Sequence, residues 1–176
     1  MRTDELASAE LIITANQRQA LDVRRRWSLS EDRVLALPAF IEQSWRQLVI
    51  KHMPKPRWLS SFEQHVLWQR LIEEDEGFTF KQDDVLAKAC REAFAWLGEW
   101  QVPLRALKDY ATPNSDWFYR LAKRYVAVCR EHHWVDNAQA LTFLIEHAAT
   151  LAVKLPKTLV FYRFWQLPAA LLQLQT

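Results

Sequence analysis

Among the stretches that set an aromatic ring beside a cation are Arg57–Trp58 and Arg163–Phe164–Trp165. Such combinations can stack on nucleic-acid bases. They are also common as core or interface aromatics with snorkelling basic neighbours. Other chemistry-bearing patterns are missing. A phosphate-cradling P-loop needs glycines ahead of a Lys-Ser/Thr pair, so that backbone N–H groups can turn towards the phosphates. The chain has only Gly77 and Gly98, and neither lies near such a pair. The five histidines (His52, His65, His132, His133 and His147) form no H-E-x-x-H helix and join no Cys-x-x-Cys pair, so no zinc site is expected. On a helix the neighbouring rings of His132 and His133 point in different directions, which suits a surface or a helix end. No Gly-x-Ser-x-Gly elbow occurs. The carboxylate pairs Glu73–Glu74 and Asp83–Asp84 fall near helix ends, where they serve as caps and solvated charge. The expectation is a chain that is not an enzyme, with no catalytic residue, no metal, no cofactor and no binding of ATP or Mg²⁺.

Composition narrows the setting. A chain of 176 residues is one domain by size and apolar enough to bury a core. Two glycines and an abundance of Leu, Ala, Arg and Gln lean towards helix. Nine tryptophans point to broad packing contacts. A net charge of +2 gives no global footprint for nucleic acid, so any such role must come from a local patch. Cys90 and Cys129, far apart in apolar helical patterns, read as buried thiols of a reducing compartment, with a disulfide or metal role as the alternative. The opening MRTDELASAE has no apolar h-region, and no apolar run reaches the length of a membrane span. A cytoplasmic protein with no membrane partner is expected.

The elements that would position any site begin with Leu11–Ala15, a short apolar run suited to the centre of a parallel sheet. Asn16 can cap the helix that follows. In that helix Ala20, Val23 and Trp27 recur at helical spacing. Arg24, Arg25 and Arg26 near its end complement the dipole, which together with solvation explains them without a ligand. Val34–Leu37 is a second run, stopped by Pro38 at the start of a helix carrying Phe40, Ile41, Trp45, Leu48 and Val49. Met53–Trp58, with two prolines, reads as a rigid connection. Only helices follow: one capped by Ser60 or Ser61, with Glu63 completing a capping box; one capped by Asp83 or Asp84; a brief one from Pro103 to near Tyr110; a long one capped by Asn114 or Ser115 and running through His133; and one capped by Asp136. Thr158–Phe161 is a third apolar strand, and Pro168 opens a last helix that ends while still apolar. The predicted fold is α/β and predominantly helical, with a small parallel sheet (about 11–15, 33–37 and 158–163). A large all-helical insertion separates the second and third strands. The alternative is an all-α bundle in which the apolar runs are buried helix ends. On this reading residues 1–57 and 157–176 form the sheet core and 58–156 the insertion. The apolar end at Thr176 suggests the N-terminal fragment of a longer protein.

Several of these segments resemble a known family. Ile13–Arg26, ITANQRQALDVRRR, resembles the strand and helix of motif Ia in UvrD-like superfamily I helicases, with Thr14 on the family's threonine, Gln17–Arg18 on its Asn-Lys and Ala20 on a small helix residue. Trp134–Ile145 looks like the segment that opens the helix before motif II, and Leu159–Leu172 looks like motif II itself. An active helicase ends that strand in Asp-Glu to hold Mg²⁺ and activate water. Tyr162 and Arg163 stand at the matching positions and can do neither. The chain is therefore more similar to the inactivated helicase-like N-terminal region of AddB-type proteins, and in particular to the PD-(D/E)XK-nuclease proteins called probable DNA repair proteins. Thr14, Asn16, Arg18, Leu37–Pro38 and Trp45 fit their opening pattern, and Leu59–Ser60, Trp68, Trp134 and Asp136 fit their helical region. The departure lies at Phe161–Gln166, where that family keeps a Gly-Phe-Asp-Glu-like turn.

The resemblance implies a degenerate P-loop-helicase-like core acting in DNA repair or recombination. It would be a non-catalytic scaffold that holds or scans DNA beside a nuclease domain located elsewhere. Its partners would be single-stranded DNA and either the remaining domains of the parent protein or a helicase–nuclease partner subunit. It also places a candidate DNA contact on the turn after the first strand (Thr14, Asn16, Gln17 and Arg18), with Arg25 further along the helix. Hydroxyl, amide and guanidinium donors at a helix start suit phosphate oxygens. In the competing reading Asn16 only caps and Arg18 is solvated, and the domain is a protein-interaction scaffold with no nucleic-acid role.

Overall fold

The computed structural model describes residues 8–47, 55–75, 83–110, 112–146, 156 and 158–172. Elements follow in the order β1 (Leu11–Thr14), α1 (Gln17–Trp27), β2 (Val34–Ala36), α2 (Leu37–Gln47), β3 (Arg57–Trp58), α3 (Ser61–Glu73) and α4 (Asp83–Glu99). After them come a 3₁₀ helix (Leu104–Tyr110), α5 (Pro113–Glu131), β4 (Trp134–Val135), α6 (Asn137–Glu146), β5 (Leu159–Tyr162) and α7 (Ala169–Leu172). The fold is α/β and predominantly helical. The chain divides into a sheet unit, Met1–Lys51 with Glu146–Pro168, and a helical unit, His52–Ile145 with Ala169–Thr176. The last helix thus goes with the helical unit, whereas the sequence reading grouped 157–176 with the sheet.

In the sheet unit the three strands lie in the order β2–β1–β5, all parallel. Ile12 faces Val34 on one side and Val160 on the other; Thr14 faces Ala36 and Tyr162. The central place of β1 suits its composition: all four of its residues are buried, Leu11, Ile12 and Ile13 are apolar, and the one hydroxyl, on Thr14, donates to a backbone carbonyl. β1 and β5 are paired, as the α/β reading requires and the all-α alternative forbids. Each strand is one or two residues shorter than expected. Ala15 is already exposed, and β2 passes straight into α2 at Leu37–Pro38, where proline suits the first turn.

Ala20 and Val23 of α1 are fully buried against Ile12, Val34 and Ala36. Burial of a valine side chain is worth roughly 1.5–3 kcal/mol. Trp27 meets Tyr162 edge to face, with ring centroids 5.6 Å apart. Ser28 ends the helix in the left-handed region at φ 50°. Arg24 is not solvated as expected. Its guanidinium donates to the Val34 carbonyl at 2.7 Å and pairs with Glu31 at 2.6 Å, tying the end of α1 to β2.

The core of the helical unit is centred on Trp68, which is fully buried. Its ring stacks on Tyr125 at 4.4 Å and 8°, with Phe94 and Phe118 close by. Ser60 and Glu63 form the expected capping box at the start of α3. Asp136 accepts from the Gln139 N–H at 2.8 Å and so caps α6. Two expectations need correction. α5 is capped by Thr112 in a reciprocal pair with Ser115, not by Asn114 or Ser115 itself, because Pro113 takes the first helical position, where its missing N–H costs nothing. Nor is the insertion all-helical. β3 and β4 form a two-stranded parallel sheet, Arg57 beside Trp134 and Trp58 beside Val135, which the Arg57 and Leu59 N–H groups extend by donating to His133 and Val135 carbonyls at 2.8 Å. α4 already contains Asp83 and Asp84, and Asp84 Oδ1 lies 2.7 Å from His65 Nε2. Residues 48–54, including Leu48, Val49 and the start of the expected rigid connection, and 173–176 lie outside the described residues.

Candidate nucleic-acid interface

Parallel strands that leave a sheet at the same level open a crevice beyond their carboxyl ends where neighbouring connections run to opposite sides. The carboxyl ends of β1 and β5 lie next to each other. From β1 the chain goes to β2 on one side, and β5 closes the other. Thr14 and Tyr162 are register partners, so Ala15 and Arg163 leave the sheet side by side.

The turn after β1 is built by its own side chains. Thr14 is fully buried and its hydroxyl donates to the Asn16 carbonyl at 3.0 Å, which braces the turn from below. Asn16 Oδ1 accepts from the Gln19 N–H at 3.0 Å, and Gln19 Oε1 accepts from the Ala15 N–H at 3.2 Å. The N–H groups of Gln17 and Arg18 occupy the first two helical positions and have no intrahelical acceptor. Both side chains are exposed, as is Asn16. Arg25 is exposed seven residues after Arg18, on the same face of α1 and about 10 Å along its axis. The structure therefore leaves Asn16, Gln17 and Arg18 exposed at the start of α1, sets Arg25 on the same face as Arg18, and keeps Thr14 beneath as a brace.

Arg163 adds a cation that the sequence reading placed only among aromatics. It sits at φ 56°, a left-handed backbone for a non-glycine residue. Its guanidinium lies over the Tyr162 ring at 5.4 Å and 3.7 Å from Asp22 of α1. Trp165 beside it is fully exposed. The other basic–aromatic stretch behaves differently. The Arg57 guanidinium lies 5.1 Å from the Trp134 ring, on which His132 also stacks at 4.5 Å, and it pairs with Glu63 at 2.6 Å. Sequence spacing could not reveal this pairing, because β3 and β4 are brought together only by the fold.

Cys90 and Cys129 are free and buried, and burial pushes each thiol up to about 12, so both are protonated and poor nucleophiles at neutral pH. Burial likewise raises the carboxyl of Asp136 and the phenol of Tyr125, which lies beside it. Among the described residues no three His, Cys, Asp or Glu side chains are grouped to hold a metal ion, and no helix is long and apolar enough to cross a membrane. Compared with known proteins, the chain matches no protein-family model and no curated protein.

Proposed function

We propose that this chain is a non-catalytic, helicase-like scaffold of a bacterial DNA repair or recombination nuclease, related to the UvrD-like and AddB-type proteins it resembles. It works in the cytoplasm without ATP, cofactor or metal of its own. It holds single-stranded DNA at the carboxyl end of its small sheet, beside a nuclease carried by the parent protein or by a partner subunit. The observation that supports this reading is the sheet order, with β1 in the centre and the exposed turn Asn16–Arg18 at its carboxyl end. Two N–H groups at a helix start and two arginines in line along α1 are donors for successive phosphates. A net charge of +2 keeps the affinity low. In fluorescence anisotropy with a labelled single strand, replacing both Arg18 and Arg25 with Ala weakens binding. The slope of log K against log salt falls by about 0.7 for each lost phosphate contact to a single strand. Equal affinity and slope in parent and variant would refute the DNA role of the sheet unit.

A second reading, a protein-interaction scaffold, is favoured by exposed apolar side chains on the helical unit. Phe62 is 76% exposed on α3, and Val85 and Trp96, on one face of α4, are 61% and 64% exposed. If the DNA test fails, this face becomes the stronger claim.

A further inference from the structure

We infer that the helical unit carries a second, independent binding track for single-stranded nucleic acid, in the groove between α5 and the 3₁₀ helix. The groove has a volume of about 560 Å³, with Leu104, Val126 and Ala127 as its apolar floor and Lys123, Arg130 and one acid, Glu131, on its wall. Arg120, Lys123, Ala127 and Arg130 are all exposed, and their spacing of three, seven and ten residues sets them along one side of α5. From Arg120 to Arg130 that side runs about 15 Å. Lys108, from the 3₁₀ helix, holds its ammonium 4.9 Å from the centre of the Tyr119 ring, and Lys123 holds its own 5.7 Å from the same ring.

Two like charges over one ring repel each other, and the ring quadrupole offsets only part of that repulsion. Among the described residues, none of Lys108, Arg120, Lys123 and Arg130 forms an ion pair. The arginines nearby that have acidic partners contrast with them: Arg124 on the same helix pairs with Glu74 at 2.8 Å. The exposed acids of this side of α5, Asp116 and Glu131, stand towards its two ends, Glu131 lining the groove next to Arg130, and Asp109 is exposed beside Lys108 on the 3₁₀ helix. Between Asp116 and Glu131 the charged residues on this side of α5 are the cations Arg120, Lys123 and Arg130.

An array of unpaired cations beside a solvent-exposed apolar floor matches a polyanion that also carries apolar faces. A single strand has both, its phosphates for the cations and its unstacked bases for the floor. An acidic peptide supplies the charge without a flat apolar face at each repeat. A duplex keeps its bases stacked inside and has nothing to lay on Leu104, Val126 and Ala127.

The test uses the whole chain and a labelled oligothymidylate in fluorescence anisotropy across a salt series. Replacing Lys123 and Arg130 with Ala should weaken binding about tenfold or more. The salt slope should fall by about 1.4, given roughly 0.7 per phosphate contact for single strands. Lys108→Ala, further from the helix, should act in the same direction by a smaller factor. Both Lys and Arg lie on the surface, so far-ultraviolet circular dichroism should be unchanged. The Arg18 and Arg25 substitutions report the sheet-unit site, so loss through those alone, with Lys123→Ala/Arg130→Ala at parental affinity and slope, overturns the track while leaving the proposed function standing. Displacement of the oligonucleotide by polyglutamate at equal charge concentration also overturns it, in favour of an acidic protein partner.

Discussion

Glu63 shows how much one carboxylate can organise. It accepts from the Arg57 guanidinium at 2.6 Å through one oxygen and from the Ser60 N–H and hydroxyl at 2.8 Å through the other. The bond from Arg57 is the main cause, and the Ser60 contacts add to it, of a carboxyl held down to about 2 from an ordinary 4.5. A carboxylate whose folded pKa is depressed stabilises the fold above its unfolded pKa, and that contribution fades as pH falls from about 4.5 towards 2. Glu63→Gln should therefore lower the melting temperature at pH 7. Because the site is half open to solvent, the gap should stay below about 4 °C. It should close on acidification to pH 2, as followed by circular dichroism. A gap that persists unchanged at pH 2 would mean that shape, not charge, carries the cap. Thr14 teaches the complementary lesson at the candidate site. A hydroxyl that the sequence places at a strand end is drawn inward by the Asn16 carbonyl, and so shapes the turn from beneath.

At the scale of elements, α4 and α6 approach so closely at Gly98 that a methyl group there would overlap the Ala138 side chain and lie 3.2 Å from its Cα. Gly98→Ala would gain up to about 1 kcal/mol of helix propensity. Overpacking costs about 1–3 kcal/mol and wins. The expected outcome is a lower urea midpoint for Gly98→Ala, with part of the loss recovered in the double substitution with Ala138→Gly. A raised midpoint would show that α6 can yield. Much of this level was legible in the residues. The Leu11–Thr14 run is legible from its own composition, and the Asn16 cap and the Ser60–Glu63 box are satisfied within four residues of themselves. What escaped depends on distant partners or on very short elements. Arg24 finds its acceptors at Glu31 and Val34 across a turn. β3 and β4, two residues each, are too short to show an alternation of side chains. At the start of α5, four consecutive residues could each serve a turn, and the proline among them decides the cap.

For the whole molecule, the two units own separate buried clusters: Leu59, Trp68, Phe94, Leu121 and Tyr125 in the helical unit, and Ile12, Ala20, Val23 and Val34 in the sheet unit. Leu121→Ala removes buried methyl groups at a cost of about 2–5 kcal/mol. Native-state hydrogen exchange should then speed up at amides of α3, α4 and α5, while those of Ile12 and Ile13 keep their protection. Equal loss in both would show that the chain unfolds as one cooperative body. β1 lies between β2, which follows it closely, and β5, which is made only after the whole helical excursion. A ribosome adding roughly 5–20 residues per second needs roughly 6–25 s to travel from Ala36 to Leu159. Through that interval one edge of the most deeply buried strand has no mate. The nascent chain therefore passes through a window in which β1 is open to any extended segment that meets it, and chaperone dependence during synthesis should be set by the length of the insertion and not by the stability of the finished sheet.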